Sequence, residues 1–276
     1  MVVLSCRLKR FYQTTADTEK PKQSRYHYQT TSFMKLLFDP AITTYTISFN
    51  FTSTDQQTIL QYLQANGYQL CGFKGAQGPN QVTTGLPVWF AEPFSNMFGN
   101  VEIDYTPLYE VYVFNEATIG EYTTITMDVV STPQGLGTAL MFNQDGSFSP
   151  GTAVAPPGSI VIQNNLPAGS PAVTVGLAAQ VGGQFLPFCA FTSTPQGSIS
   201  MTPLETVCLF AAQTDLQSGS VIAAAAAPGC EFPFNASSIN YALAIADSTY
   251  QVIGTAGGLT VTAVPSGANL DELLNS

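Results

Sequence analysis

Two carboxylates at alternate positions of one segment have the spacing best suited to chemistry. Glu102 and Asp104 stand at i and i+2 in "VEIDY", and such positions share one face of a strand. Carboxylates about 7 Å apart can divide the acid and base roles of a hydrolase, or bind Ca²⁺ with neighbouring carbonyl groups. The alternative, which we favour, is a solvated outer face with Val101, Ile103 and Tyr105 directed inward.

A second candidate is the aromatic segment, residues 85–98, which contains the chain's one tryptophan. Its large apolar side chains can stack on sugars, insert into a bilayer interface or form a patch for a protein partner. The alternative, which we favour because "GLPVWF" reads as the start of a strand, is that they form the core of an inserted hairpin. The candidate binding residues are Trp89, Phe90, Phe94, Met97 and Phe98.

Several catalytic classes are excluded by residue type. The one histidine is His27, so the chain beyond residue 35 cannot build a Ser-His-Asp triad, a Cys-His dyad or an imidazole metal site. No P-loop and no G-x-S-x-G motif is present. We therefore predict no catalytic residues, no metal site and no cofactor. Lys74, in "FKGAQG", is expected to be a solvated lysine on a turn.

The charge distribution excludes further functions. Only 9% of the residues are charged, and seven of the eight cations lie in residues 1–35. Beyond residue 35, one lysine stands against sixteen carboxylates, so binding to nucleic acid or to anionic membranes by charge is not expected. We expect a homo-oligomer or a protein or glycan partner. Membrane contact is expected only through the aromatic segment.

Residues 1–35 are predicted to be a disordered basic leader, because they show no hydrophobic periodicity. We expect no secretory signal and no transmembrane helix, and we favour the cytoplasm, or export without a cleavable signal. The five cysteines form no C-x-x-C motif, and most lie in apolar runs. They are expected to be free thiols that pack as small hydrophobic side chains.

The periodicity beyond residue 40 is that of β-structure. "YTISFNFTS" alternates apolar and polar residues, and similar segments recur along the chain between turns rich in Pro, Gly and Asn. The Asp145-Gly146 pair predicts a tight turn. The clearest helix is predicted over residues 54–67, capped by Thr54 or Asp55 and ended by Gly67. The tail "NLDELLNS" predicts one further helical turn.

A repeated sequence segment predicts the domain organisation. "YTPLYEVYVF" (105–114) returns as "MTPLETVCLF" (201–210), and the flanking segments follow in the same order. Pro107 marks a bulge, a bend or an edge position. "STPQG" occurs at 131–135 and 193–197 and predicts type I turns. We predict an all-β protein of two tandem antiparallel β-sandwich units related by duplication, over residues 36–150 and 151–276.

The segments "LCGFKGAQG", "LPVWFAEP" and "VEIDYTPLYEVYVFNE" resemble the family of the bacterial rhizosphere-expressed protein RhiA. The matching positions are Cys71, Phe73, Trp89, Phe90, Ala91 and Tyr105. This resemblance covers about a third of the chain and implies a β-rich accessory protein, with no catalytic residues to transfer.

Together these observations predict a non-enzymatic β-sandwich protein that binds a ligand or assembles with itself. Two alternatives remain open. One is a membrane-active protein, pore-forming or lipid-binding, that inserts residues 85–98. The other is a carboxylate-dependent hydrolase that uses Glu102 and Asp104.

Overall fold

The computed structural model describes residues 43–275, and these residues are mostly β-strand, which confirms the all-β prediction. The helices are α1 (Thr54–Ala65), α2 (Leu270–Leu274) and a 3₁₀ turn (Phe94–Asn96). The strands are β1 (Tyr45–Asn50), β2 (Tyr68–Gln77), β3 (Leu86–Pro87), β4 (Phe90–Pro93), β5 (Asn100–Phe114), β6 (Val129–Val130), β7 (Thr138–Phe142), β8 (Phe148–Pro150), β9 (Ile160–Asn164), β10 (Val173–Val181), β11 (Gln184–Pro187), β12 (Phe191–Ser193), β13 (Ser198–Gln213), β14 (Val221–Ile222), β15 (Gly229–Pro233), β16 (Asn240–Ile245), β17 (Val252–Gly254) and β18 (Thr262–Val264).

The predicted helix over residues 54–67 is confirmed as α1, with a different cap. The hydroxyl of Ser53 accepts a hydrogen bond from the N–H of Gln56, which satisfies one of the free donors of the first turn. The apolar face, formed by Ile59, Leu60 and Leu63, is buried. The helix ends just before Gly67, whose φ is +67°. The predicted turn in the tail is confirmed as α2.

The short helix α2 packs against β2 at a place where only glycine fits. A Cβ atom on Gly75 would collide with the carbonyl oxygen of Leu274. Beside it, the N–H of Ala76 donates to Oδ1 of Asn275 at 2.8 Å. The end of the described chain therefore covers β2 next to Lys74.

Two large sheets contribute to one hydrophobic core. The first sheet has the order β11-β10-β5-β1-β16-β17, with β12 and β6 as additional partners of β10 and β5. The second has the order β18-β15-β13-β9-β7-β8, with β2 paired to β13 and β4 paired to β2. A two-stranded sheet joins β14 to β3. The two longest strands, β5 and β13, each lie inside one of the large sheets.

The two predicted tandem units do not appear as separate bodies. In the first sheet, β1 and β5 lie between β10 and β16, which come from the other half of the chain. In the second sheet, β13 pairs with β2 along most of its length. All described residues consequently belong to one compact unit, so the division at 150/151 is not a boundary between sheets. The internal duplication stays a prediction, and the predicted leader lies outside the described residues.

Both copies of the Thr-Pro-Leu motif interrupt the pairing of a long strand. In β5, Thr106 lies opposite Gln180, but Tyr109 lies opposite the adjacent Ala179. Two residues of β5 are thus extra, so the bulge is the one that occurs among the three alternatives predicted for Pro107. In β13, Pro203 lies opposite Ala76 of β2, and Val207 lies opposite Lys74. Three residues of β13 therefore face one residue of β2, which is the same type of bulge.

The repeated pentapeptide adopts two local structures. At 193–197, the N–H of Gly197 donates to the carbonyl of Thr194 at 3.0 Å, and Gln196 has a φ of +61°. This φ belongs to a type II turn, so the predicted type I turn is wrong there. At 131–135, the backbone of Gln134 instead pairs with Tyr109 of β5. The Asp145-Gly146 turn joins β7 to β8 as predicted.

Four cysteines of the described chain, Cys71, Cys189, Cys208 and Cys230, are free and buried. Burial raises the pKa of Cys71, Cys189 and Cys230 to about 12, and raises that of Cys208 further. They are therefore protonated thiols at neutral pH, packed as hydrophobic side chains.

We expect no reaction of these four thiols with an alkylating reagent in the folded protein at about pH 8, because thiolate is the reactive species. All four should react once the chain is unfolded. A Cys6→Ser variant removes the one thiol outside the described residues, and mass spectrometry then counts the labels. A label on the folded Cys6→Ser protein would contradict the burial described above.

Candidate functional site

Most large apolar side chains of the aromatic segment belong to the core, which is the alternative that the sequence left open. Trp89, Phe90, Phe94 and Met97 are buried, and only Phe98 is exposed, at 70%. The indole Nε1 of Trp89 donates to the carbonyl of Ala179 at 3.3 Å, so its polar group is also satisfied internally. The exposed aromatic patch that sugar stacking or bilayer insertion would need is not formed by the four buried residues.

The two predicted carboxylates are exposed on one face of β5, while Val101 and Ile103 are partly buried. They do not form one site. Asp104 Oδ1 accepts a hydrogen bond from Thr46 Oγ1 at 2.9 Å, across the pairing with β1. Only Glu102 lines a surface groove. Glu102 is therefore available to a ligand in the groove, whereas Asp104 is hydrogen-bonded to β1 outside it.

That groove, called the Glu102 groove below, has a volume of about 330 Å³. It lies between the start of β5, the β4–3₁₀ segment and the β10–β11 hairpin. Its polar groups are two carboxylates and two amides, and its other side chains are apolar. The lining residues are Phe90, Glu92, Asn96, Met97, Val101, Glu102, Ile103, Val181, Gly182, Gln184 and Leu186.

Hydrogen bonds from α1 fix one wall of the groove. Gln64 Nε2 donates to the carbonyl of Phe94 at 3.3 Å and to that of Met97 at 3.0 Å. On the same wall, Asn96 Nδ2 donates to Glu92 Oε1 at 2.9 Å. Sequence reasoning missed Glu92, although it is the one acidic residue in the aromatic segment. An acidic residue among large apolar side chains is the feature of the sequence that could have identified Glu92 as a candidate.

The groove carries negative charge that no cation of residues 43–275 offsets. Lys74 is the one Lys or Arg among residues 43–275, and its side chain is fully buried elsewhere. An anionic ligand would therefore meet repulsion from Glu92 and Glu102. Neutral polar ligands and cations remain compatible with the groove.

A buried ionic cluster joins the two large sheets, and it corrects the prediction for Lys74. This lysine lies within β2 and has no exposed surface, so the expected solvated position on a turn is wrong. Its Nζ lies 2.9 Å from Glu205 Oε2 and also donates to the carbonyl of Leu204. The ammonium lies 4.8 Å from the ring centroid of Tyr105.

Two tyrosines from β5 complete this cluster. The hydroxyls of Tyr105 and Tyr109 donate to Glu205 Oε1 at 3.2 and 3.0 Å. Lys74, Glu205, Tyr105 and Tyr109 are called the Lys74 cluster below. The two bulges at the Thr-Pro-Leu motifs lie beside these side chains, since Glu205 and Tyr109 directly follow the motifs in β13 and β5.

Burial sets the protonation behaviour of the Lys74 cluster. It lowers the pKa of Lys74, and the charge of Glu205 partly offsets this effect. Burial also raises the pKa of Tyr105 and Tyr109 well above the ordinary value, so both phenols stay protonated and act as donors. The carboxyl group of Glu205 therefore contacts an amine on one oxygen and two phenol donors on the other.

Within residues 43–275, no group of three or more His, Cys, Asp or Glu side chains is placed to hold a metal ion. No helix in this range has the length and apolar character needed to cross a bilayer. The predicted resemblance to the rhizosphere-expressed family stays a prediction. The chain matches no protein-family model, and comparisons with curated proteins and with solved structures give no significant match.

Proposed function

We propose that the protein is a non-enzymatic binding protein that takes a neutral saccharide in the Glu102 groove. The observation that carries this proposal is the lining of the groove, in which two carboxylates and two amides lie among apolar side chains. Carboxylates and amides accept and donate the hydrogen bonds that sugar hydroxyls need, and apolar side chains pack against the C–H faces of the ring. The volume of about 330 Å³ is at the lower end for ligand pockets.

The charge of the described surface supports a neutral ligand. Residues 43–275 contain fifteen carboxylates and one cationic side chain, Lys74. Because Lys74 is buried, this range exposes no Lys or Arg. Phosphates, nucleic acids and acidic glycans require such cations for charge neutralisation. A neutral saccharide is not repelled by the carboxylates in this way.

A second candidate, saccharide hydrolysis, is favoured by one observation. Glu92 and Glu102 come from different strands and line the same groove, so two carboxylates face one ligand. Glycoside hydrolysis requires two carboxylates at one ligand, and Asp104 of the predicted Glu102–Asp104 pair lies outside the groove. Product formation from a bound oligosaccharide, lost in Glu92→Gln while binding persists, would support it.

The binding proposal is tested with an array of neutral glycans followed by calorimetry on the best ligand. We expect Glu102→Gln to weaken binding by about tenfold, because a hydrogen bond to a charged group contributes about 1.5–3 kcal/mol and the amide retains part of it. Asp104→Asn is the matched control, since it removes one charge from the same face of β5 outside the groove. Its affinity should be unchanged.

Two results would count against this proposal. One is the absence of any neutral glycan that binds. The other is an equal loss of affinity in Glu102→Gln and Asp104→Asn, which would show that overall charge, and not the groove, determines binding.

A further inference from the structure

We propose that Lys74 and Glu205 form a covalent amide bond that joins β2 to β13. The amine and the carboxyl group are already in contact, with Nζ 2.9 Å from Oε2. This inference is independent of ligand binding in the Glu102 groove, because none of the four residues of the Lys74 cluster lines that groove.

The bond forms by loss of one water molecule. A proton passes from the ammonium of Lys74 to Oε2 of Glu205, which leaves a neutral amine beside a neutral acid. The lone pair of Nζ then attacks Cδ, and the negative charge moves to Oε1. Nζ gives up a second proton to Oε2, the Cδ–Oε2 bond breaks, and Oε2 leaves as water. No oxidant, reductant or co-reactant is consumed.

The surrounding groups suit each step. Tyr105 and Tyr109 donate hydrogen bonds to Oε1, the oxygen on which negative charge develops, as an oxyanion hole does. Burial favours the neutral amine of Lys74, which is the nucleophilic form. The side chain of Glu205 retains 30% exposure, so the water that leaves has a path to solvent.

Burial also favours the product over the ion pair. The ammonium group of Lys74 has no exposed surface and carries a large desolvation cost, which the attraction of Glu205 only partly offsets. The amide bond replaces two charges by one neutral group. In water the ions are well solvated and the bond is not favoured, so it is expected to form only in the folded chain; once formed, it persists on unfolding because uncatalysed amide hydrolysis is slow.

The sequence offers a direct test on the full-length protein. Beyond Lys35, Lys74 is the one site at which trypsin can cleave. Purified protein is unfolded in urea and digested. With a free lysine, the products are residues 36–74 and 75–276. With the amide bond, residues 36–276 remain as one fragment, lighter than its sequence by the mass of one water. Two separate fragments of unaltered mass would overturn the proposal.

Variants assign the roles. Lys74→Arg keeps the charge and the cleavage site but should give two fragments, since a guanidinium does not form the bond. Tyr109→Phe should slow the appearance of the uncleaved fragment by about tenfold or more, followed from the time of synthesis by pulse-labelling. Tyr112→Phe is the matched control, because its buried hydroxyl bonds to the carbonyl of Cys189 instead. Equal rates in both tyrosine variants would contradict the role given to Tyr109.

Discussion

Replacing Glu205 by alanine is expected to lower the free energy of unfolding by about 3–5 kcal/mol through the buried charge that is left without its partner, in addition to the effect of losing the proposed amide bond. Lys74 has no exposed surface, and no other carboxylate of residues 43–275 lies within hydrogen-bonding distance of it. Tyr105 and Tyr109 lose their common acceptor in the same variant. Urea unfolding followed by circular dichroism measures the change. Glu231→Ala is the matched control, because Glu231 lies on the neighbouring strand β15 and is expected to cost much less.

The loss in Glu205→Ala should depend on pH in a defined direction. Burial lowers the pKa of Lys74, and removing the carboxylate lowers it further. Between that lowered pKa and the unfolded value of about 10.5, the unfolded chain binds more protons than the folded chain, so stability rises with pH. The deficit relative to the parent protein is therefore expected to shrink from about pH 7 to about pH 9. A deficit that grows over this range would contradict a buried, unpaired lysine.

Replacing Trp89 by alanine is expected to cost about 3–5 kcal/mol, because the largest side chain of the core leaves a cavity. Trp89 is fully buried, its ring lies edge-on to Tyr105 with centroids 5.0 Å apart, and its Nε1 has a partner in Ala179. Its loss removes side-chain contacts to both large sheets, since Tyr105 belongs to the first and Phe90, whose ring centroid lies 5.4 Å from that of Trp89, belongs to the second.

Phe98→Ala is the matched control for Trp89→Ala. It is an aromatic residue of the same segment, but it is 70% exposed, so its truncation should change stability by no more than about 0.5 kcal/mol. Thermal and urea unfolding measure the loss of stability in each of the two variants. Similar losses in both would contradict the assignment of Trp89 to the core.

Short-range patterns in the sequence determined the local structure well. The alternation in "YTISFNFTS" gives β1, with Ile47 and Phe49 buried as the period of two requires. The apolar spacing of 54–67 gives α1, and Asp145-Gly146 gives a tight turn. These features depend on neighbours within a few residues, and that information is contained in the sequence itself. The cap of α1 was one residue off, since Ser, Thr and Asp all suit that position.

Only the tertiary structure decided which segments meet. Strand pairing across the two halves of the chain, such as β10 with β5 and β13 with β2, depends on contacts between residues distant in sequence. Those contacts bring Glu205 to Lys74, which local sequence had placed on a solvated turn. They also bury Trp89, bring Glu92 beside Glu102, and give "STPQG" two conformations. Periodicity reports which face of a strand is apolar, but it does not report which strand covers that face.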